Sequence, residues 1–249
     1  MDDLRFMREE FRYLRFQNFP EKEIADKIMT DAGKFHIKGE QQFLQYGTKQ
    51  DMYYEIYFKK YEHQNLYHPY MYQATLKDQP ERTQAFRMSN DDAFTAQDAF
   101  NLLNGRAVQK LVLDWSERKL VNKWFQLDLT QKDVNGNFKV EDLKVTDQDY
   151  QIGAALSNYP IKEMRTPEDR IKLILSLYNG NAEPITLLKD GKEIKGFAEA
   201  SPKNRIVAVY SQPGKRSIYS KISKGKLELM PWELPEQLVK KRKRKGRSI

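Results

Sequence analysis

Cysteine is absent from the 249 residues. A disulfide framework, thiolate metal site, iron–sulfur cluster or cysteine nucleophile is therefore excluded. Histidine is nearly absent as well: His36, His63 and His68 are the only three, which leaves little room for zinc or histidine-base chemistry. No apolar run approaches the roughly 18 residues that a membrane-spanning helix needs. The opening, MDDLRFMREE, has no secretory h-region, so a cytoplasmic protein is expected. A glycine-rich phosphate cradle ending in Lys-Ser/Thr is missing, as are a dinucleotide fingerprint, a nucleophile elbow and a metalloprotease helix. No cofactor is expected. What remains is a polar globular chain, 39% hydrophobic and 31% charged, long enough to bury a sizeable core.

Charge is unevenly placed. From Lys203 onward there are 14 lysines and arginines against three acids, a net +11, so residues 1–202 carry −3 of the total +8. The cations crowd at the end: Lys240, Lys241, Arg242, Lys243, Arg244, Lys245 and Arg247. Such a block repels itself and is expected to be a solvated tail. Tails of this kind find polyanions, because each neutralised phosphate releases counterions. The plainer reading is a tail that serves only solubility. No lipid-entering aromatic or lipidation site accompanies it, so a membrane partner is not expected.

Residues 3–17 predict an amphipathic helix with Leu4, Met7, Phe11 and Leu14 along its apolar stripe. Arg5, Arg8, Arg12 and Arg15 form a second stripe beside it, either a phosphate-holding ladder or a solvated face paired with acids such as Glu9. Pro20 and Gly33 bracket a second helix with Ile24 and Ile28 inward. Residues 51–88 read as a hairpin and a third strand, broken at Asp78–Pro80. The hairpin holds seven tyrosines. Tyr53, Tyr57 and Tyr61 alternate onto one face with Lys59 and Lys60 beside them, either a stacking platform for unpaired bases or ordinary cross-strand packing.

Thr95–Asp98 reads as a helix start and Asn104–Gly105 as its left-handed stop, with Ala99, Leu102 and Leu103 inward. Strands follow at 108–113, 124–130 and 138–143, the last two joined by the Asp133–Asn137 turn. After a short helix at 150–157, Thr166–Asp169 starts another helix, with Ile171, Ile174, Leu175 and Tyr178 expected inward and Asn179–Gly180 as its stop. Strands at 184–189, 193–200 and 205–210 complete the pattern, the last expected to be covered on both sides. Thr95 and Thr166 therefore begin two matching helix-plus-meander segments. The expected fold is α+β: repeated helix plus antiparallel three-stranded meander modules, N-terminal helices and a basic C-terminal tail. The expected segments are 1–92, 93–148, 149–220 and 221–249.

Candidate chemistry is sparse. His63 and His68 flank one turn without carboxylate support, a poor metal site. The Asp133 turn lacks the third acid, the placed glycine and the terminal glutamate of a calcium loop. Glu141 and Asp142 point to opposite faces of a strand, so no carboxylate pair converges as a nuclease metal site requires. Arg106, just past the Asn-Gly stop, is expected at the surface, either tying the helix end or contacting an anion.

The landmarks Leu103–Asn104–Gly105–Arg106–Ala107–Val108, Gln126–Leu127–Asp128, Asn135–Gly136–Asn137, Pro160–Ile161–Lys162–Glu163 and Glu199–Ala200–Ser201–Pro202 give the chain a family likeness over roughly residues 1–220. It resembles a bacterial domain family of unknown function found in proteins of conjugative and integrative elements. The resemblance implies a context, an accessory protein of a mobile element among proteins that handle DNA, and no mechanism. The leading expectation is thus a non-enzymatic, nucleic-acid-associated protein, DNA or RNA, binding largely through electrostatics. Its rivals are a protein-interaction module and an enzyme assembled from dispersed carboxylates.

Overall fold

A computed structural model describes residues 2–61, 66–88, 93–189, 191–210, 219–223 and 226–229. The chain divides into two compact units, Met1–Thr146 and Asp147–Ile249.

The first unit opens with α1 (Asp2–Tyr13) and α2 (Glu21–Met29), followed by β1 (Lys34–Gln45), β2 (Thr48–Tyr61), β3 (Leu66–Leu76) and β4 (Gln79–Arg87). The four strands form an antiparallel meander in chain order. Met7, Phe11 and Leu14 of the apolar stripe are buried, and Leu4 packs at the margin. The helix is shorter than its pattern predicts, stopping at Tyr13 with Arg15 in the left-handed region (φ 60°). Strand β1 has no clear signal in the sequence. Its Phe35, Ile37 and Phe43 alternate inward, but Gln41 and Gln45 share that face and Leu44 points outward, which blurs the period-2 signal. Pro80 lies inside β4, not in a break before it. A register shift between Thr75 and Leu76 accommodates it, as proline in a strand requires.

One face of this sheet is apolar and covered by helices. Phe35 stacks on Phe58 at 4.7 Å and Phe43 on Phe100 at 4.6 Å. Burying each such ring stabilises the fold by about 1.5–3 kcal/mol. Tyr54, Tyr67 and Tyr72 belong to this buried face, so the seven hairpin tyrosines divide between the two sides. Gly39 is needed beside Tyr54, whose ring would sit 2.3 Å from an added Cβ.

The unit continues with α3 (Ala96–Leu103) and a second meander of β5 (Val108–Asp114), β6 (Lys119–Lys132) and β7 (Phe138–Asp142). Thr95 caps α3 through a reciprocal capping box with Asp98, as its sequence predicts. Lys110 then reaches Asp98 at 3.0 Å in a largely buried ion pair. The β6–β7 hairpin docks on β4: Asn137 accepts the Ala85 N–H (2.8 Å) and Gln84 accepts the Phe138 N–H (2.7 Å). Residues on both sides of position 92 therefore share one core.

The second unit holds α4 (Ile152–Leu156), α5 (Pro167–Tyr178) and the meander β8 (Glu183–Lys189), β9 (Lys192–Ser201), β10 (Ile206–Tyr210). Val207, Ala208 and Val209 are consecutively buried, so β10 is covered on both faces as expected. The inward face of α5 differs from expectation. Leu173 and Leu177 are buried, Ile174 and Tyr178 are half-buried, and Ile171 and Leu175 are exposed. Two apolar stripes run along this helix, and packing selects the second. Part of the segment expected as tail is a hairpin, β11 (Tyr219–Ser223) with β12 (Lys226–Leu229).

Three helices end in the same way. In α1 the Phe16 N–H bonds the Phe11 carbonyl and the Arg15 N–H that of Arg12. In α3 the Arg106 N–H bonds Asn101 and the Gly105 N–H Leu102; in α5 Asn181 bonds Ser176 and Gly180 bonds Leu177. Each is a Schellman stop. The side chains that usually make its apolar contact do so in α1 (Phe16 and Phe11, 5.6 Å). In the other two they hydrogen-bond instead: Arg106 to Asn101 at 2.7 Å and Asn181 to Ser176 at 2.7 Å.

Candidate nucleic-acid interface

The face of the four-stranded sheet that no helix of the first unit covers, among the described residues, carries the candidate site. Strand alternation puts Tyr53, Glu55, Tyr57, Lys59 and Tyr61 of β2 on it. Antiparallel register brings His36 opposite Tyr57 and Lys38 opposite Glu55. A bulge at Tyr57/Phe58 turns Tyr70 of β3 to the same side. Tyr53 is 42% exposed and Tyr61 39%. Lys59 Nζ lies 4.5 Å from the Tyr61 ring centroid and 5.3 Å from that of Tyr70, so cation and rings form one cluster.

Much of the remaining charge on this face is internally matched. Lys38 pairs with Glu55 at 2.7 Å, and Glu55 accepts the Tyr57 hydroxyl at 2.9 Å. The Lys38 bond holds the Glu55 carboxyl below its ordinary range. Burial, then the bond to Glu55, push the Tyr57 phenol up. Lys77 pairs with Asp51 at 2.8 Å and lies 5.4 Å from the Tyr53 ring centroid. Lys38, Tyr53, Glu55, Gln73 and Thr75 enclose a concavity of about 320 Å³. The surface is thus aromatic with modest net charge, suited to stacking more than to attraction at a distance.

The arginines lie elsewhere. Arg5, Arg8, Arg12 and Arg15 are exposed, but α1 belongs to the helical layer on the opposite side of the sheet. The tyrosines and arginines therefore form no single track. They approach at one end of the sheet, where Phe6 contacts His68 (4.9 Å) and His68 contacts Tyr61 (5.1 Å). Arg8 bonds Glu21, and Arg12 lies 4.0 Å from Glu9. Arg106 is 6% exposed, against the expected surface position; its bond to Asn101 ties the helix end, and it is not open to solvent phosphate. Lys240, Lys241, Arg242, Lys243, Arg244, Lys245 and Arg247 lie outside the described residues, as does His63.

The landmark motifs have structural duties. The Gly105 carbonyl accepts from Gln126 at 2.7 Å. Ile161 bridges to Leu187, Lys162 reaches Glu193 at 2.7 Å and Glu163 accepts the Thr186 N–H at 2.9 Å. Ser201–Pro202 leads into a tight turn that puts Arg205 3.4 Å from Asp149. His36, Lys38 and Tyr70 were not singled out as site residues; recognising β1 from its Phe35–Ile37–Phe43 alternation would have found the first two.

Among the described residues, no group of three or more His, Asp or Glu could hold a metal ion, and no helix is long and apolar enough to cross a membrane. The fold and site together define an α+β chain with an aromatic sheet face exposed among the described residues. Comparison with protein-family models, curated proteins and solved structures gives no match.

Proposed function

We propose that the chain binds nucleic acid without transforming it, as an accessory protein of a mobile element. The open tyrosine face takes unpaired bases, and the cations of Lys240–Arg247 supply long-range attraction. The observation that carries this reading is the cluster of Tyr61 and Tyr70 around Lys59, with Tyr57 and Tyr53 farther along β2 on the same sheet face, which no helix among the described residues covers. The resemblance to mobile-element proteins supports the context.

The test is fluorescence anisotropy with single- and double-stranded oligonucleotides across a salt series. Affinity is expected to fall with salt, and removing residues 238–249 should weaken it and flatten the slope. Tyr53→Ala with Tyr61→Ala should cost about tenfold or more on single strands, the scale of a lost stacking contact, and little on duplex. Absence of binding by the intact protein at low salt would end this reading.

One observation favours a second reading, a protein-interaction module. Trp115, at the β5–β6 turn, is 81% exposed, with Leu111 and Leu120 exposed nearby. A stoichiometric partner that survives nuclease treatment and is lost with Trp115→Ser would favour it.

A further inference from the structure

A groove at the end of α1 is lined by three arginines. It measures about 480 Å³; Arg8, Arg12 and Arg15 stand around it, Phe16 and Phe19 contribute apolar wall, and no carboxylate lines it. Arg8 is engaged by Glu21. Arg12 has Glu9 only at 4.0 Å, and Arg15 forms no ion pair among the described residues.

Arg15 occupies this place against backbone preference. It is the left-handed residue of the α1 Schellman stop (φ 60°), the position filled by Gly105 (φ 77°) and Gly180 (φ 78°) in α3 and α5. Glycine adopts that conformation without a Cβ clash and arginine does not. The surrounding structure enforces it. Gln41, a buried amide on the apolar face of β1, donates to the Arg15 carbonyl at 3.1 Å and accepts the Gln17 N–H at 3.2 Å. Arg205 is also left-handed, but its charge is used internally on Asp149; that of Arg15 faces a groove.

We propose that this groove is a nucleotide-phosphate site, with Arg15 its principal anion contact and Arg12 the second. Both guanidiniums are exposed at the groove edge, free to give an incoming phosphate charge-assisted hydrogen bonds, and the neighbouring phenylalanines offer a surface for a base. The Gln17 and Gln97 side chains also line the groove, within reach of a sugar or base. The proposal rests on the nucleic-acid reading above and deepens it, adding a phosphate site on the helical side to the stacking face on the other.

The test compares the full chain with Arg15→Gln and Arg15→Gly, using labelled oligothymidylate in a salt series, AMP as competitor, and thermal unfolding. Arg15→Gln should weaken strand binding about tenfold and reduce the salt slope by about 0.7, the loss of one single-strand phosphate, with Tm unchanged. Arg15→Gly should lose the same affinity while Tm rises by about 2 °C, because the left-handed cost is relieved. Displacement of the strand by AMP identifies a site for free nucleotides; loss of strand affinity without AMP displacement identifies a backbone phosphate. Wild-type binding matched by both variants, in affinity and slope, would overturn the groove and leave the tyrosine face standing. An unchanged or lower Tm for Arg15→Gly would overturn the argument that the arginine is held at a cost. If the wild type binds neither probe, both readings fall.

Discussion

Helix α3 and helix α5 each start at a threonine cap and close at an Asn-Gly stop, and each leads into a three-stranded antiparallel meander. Their surroundings differ. Helix α3 lies between its own meander and strands β3 and β4 of the larger sheet, and Ala96 and all of 98–103 are buried. Helix α5 rests on β8, β9 and α4, with Leu173 and Leu177 alone buried. Its Ile171 and Leu175 are more than half exposed. Similar punctuation thus produces one enclosed helix and one amphipathic helix. Burial is set by how many layers meet the helix, which its caps do not encode.

That contrast can be broken most directly by truncating one leucine in each helix. Leu102→Ala in α3 should cost about 3–4 kcal/mol by urea denaturation, the range of a cavity in a closed core. Leu175→Ala in α5 should stay within about 0.5 kcal/mol. Comparable losses would show that α5 is covered in solution.

The ion pairs sharpen the same comparison. Lys110→Ala strands the buried Asp98, which keeps its bond to the Thr95 N–H, and should cost about 2–3 kcal/mol. Lys162→Ala removes the exposed partner of Glu193 and should leave the denaturation midpoint nearly unchanged. The modules should behave alike at their stops. Gly105→Ala and Gly180→Ala each place a Cβ at positive φ and should each cost about 1 kcal/mol. A large difference between them would mean that the two stops are not equivalent.

The smallest expected effect is a pH dependence. The Lys162 hydrogen bond holds the folded Glu193 carboxyl below its ordinary value of 4.5. The folded state therefore binds this proton less readily than the unfolded chain. The stability it adds is complete above the ordinary value and fades as pH falls through the folded one. Glu193→Gln should flatten that part of the acid limb, and an unaltered acid limb would remove the pair from the account.

Local chemistry made much of this fold legible. Thr95 and Thr166 announce helix starts because a hydroxyl can accept a first-turn N–H. Asn104–Gly105 and Asn179–Gly180 announce stops because glycine tolerates positive φ. The end of α1 is hidden in the sequence because Arg15, a good helix former, fills the position that glycine marks elsewhere. Strand β1 escaped because Gln41 faces the core, where it holds the backbone at Arg15 and Gln17. The inward stripe of α5 was misassigned because two stripes are apolar and only packing chooses. The candidate site shows the same limit. The parity of Tyr53, Tyr57 and Tyr61 follows from strand alternation. The arrival of His36, Lys38 and Tyr70 beside them depends on register and on a bulge.

Residue order thus determined where most helices and strands begin and end, because caps, turns and alternation act over four or five residues. It also determined the charge asymmetry, which is a matter of counting. Which tyrosines are core and which are open, the burial of Arg106 and the separation of the α1 arginines from the tyrosine face were decided in three dimensions. Each depends on which distant segment covers a surface, and no local interaction carries that information.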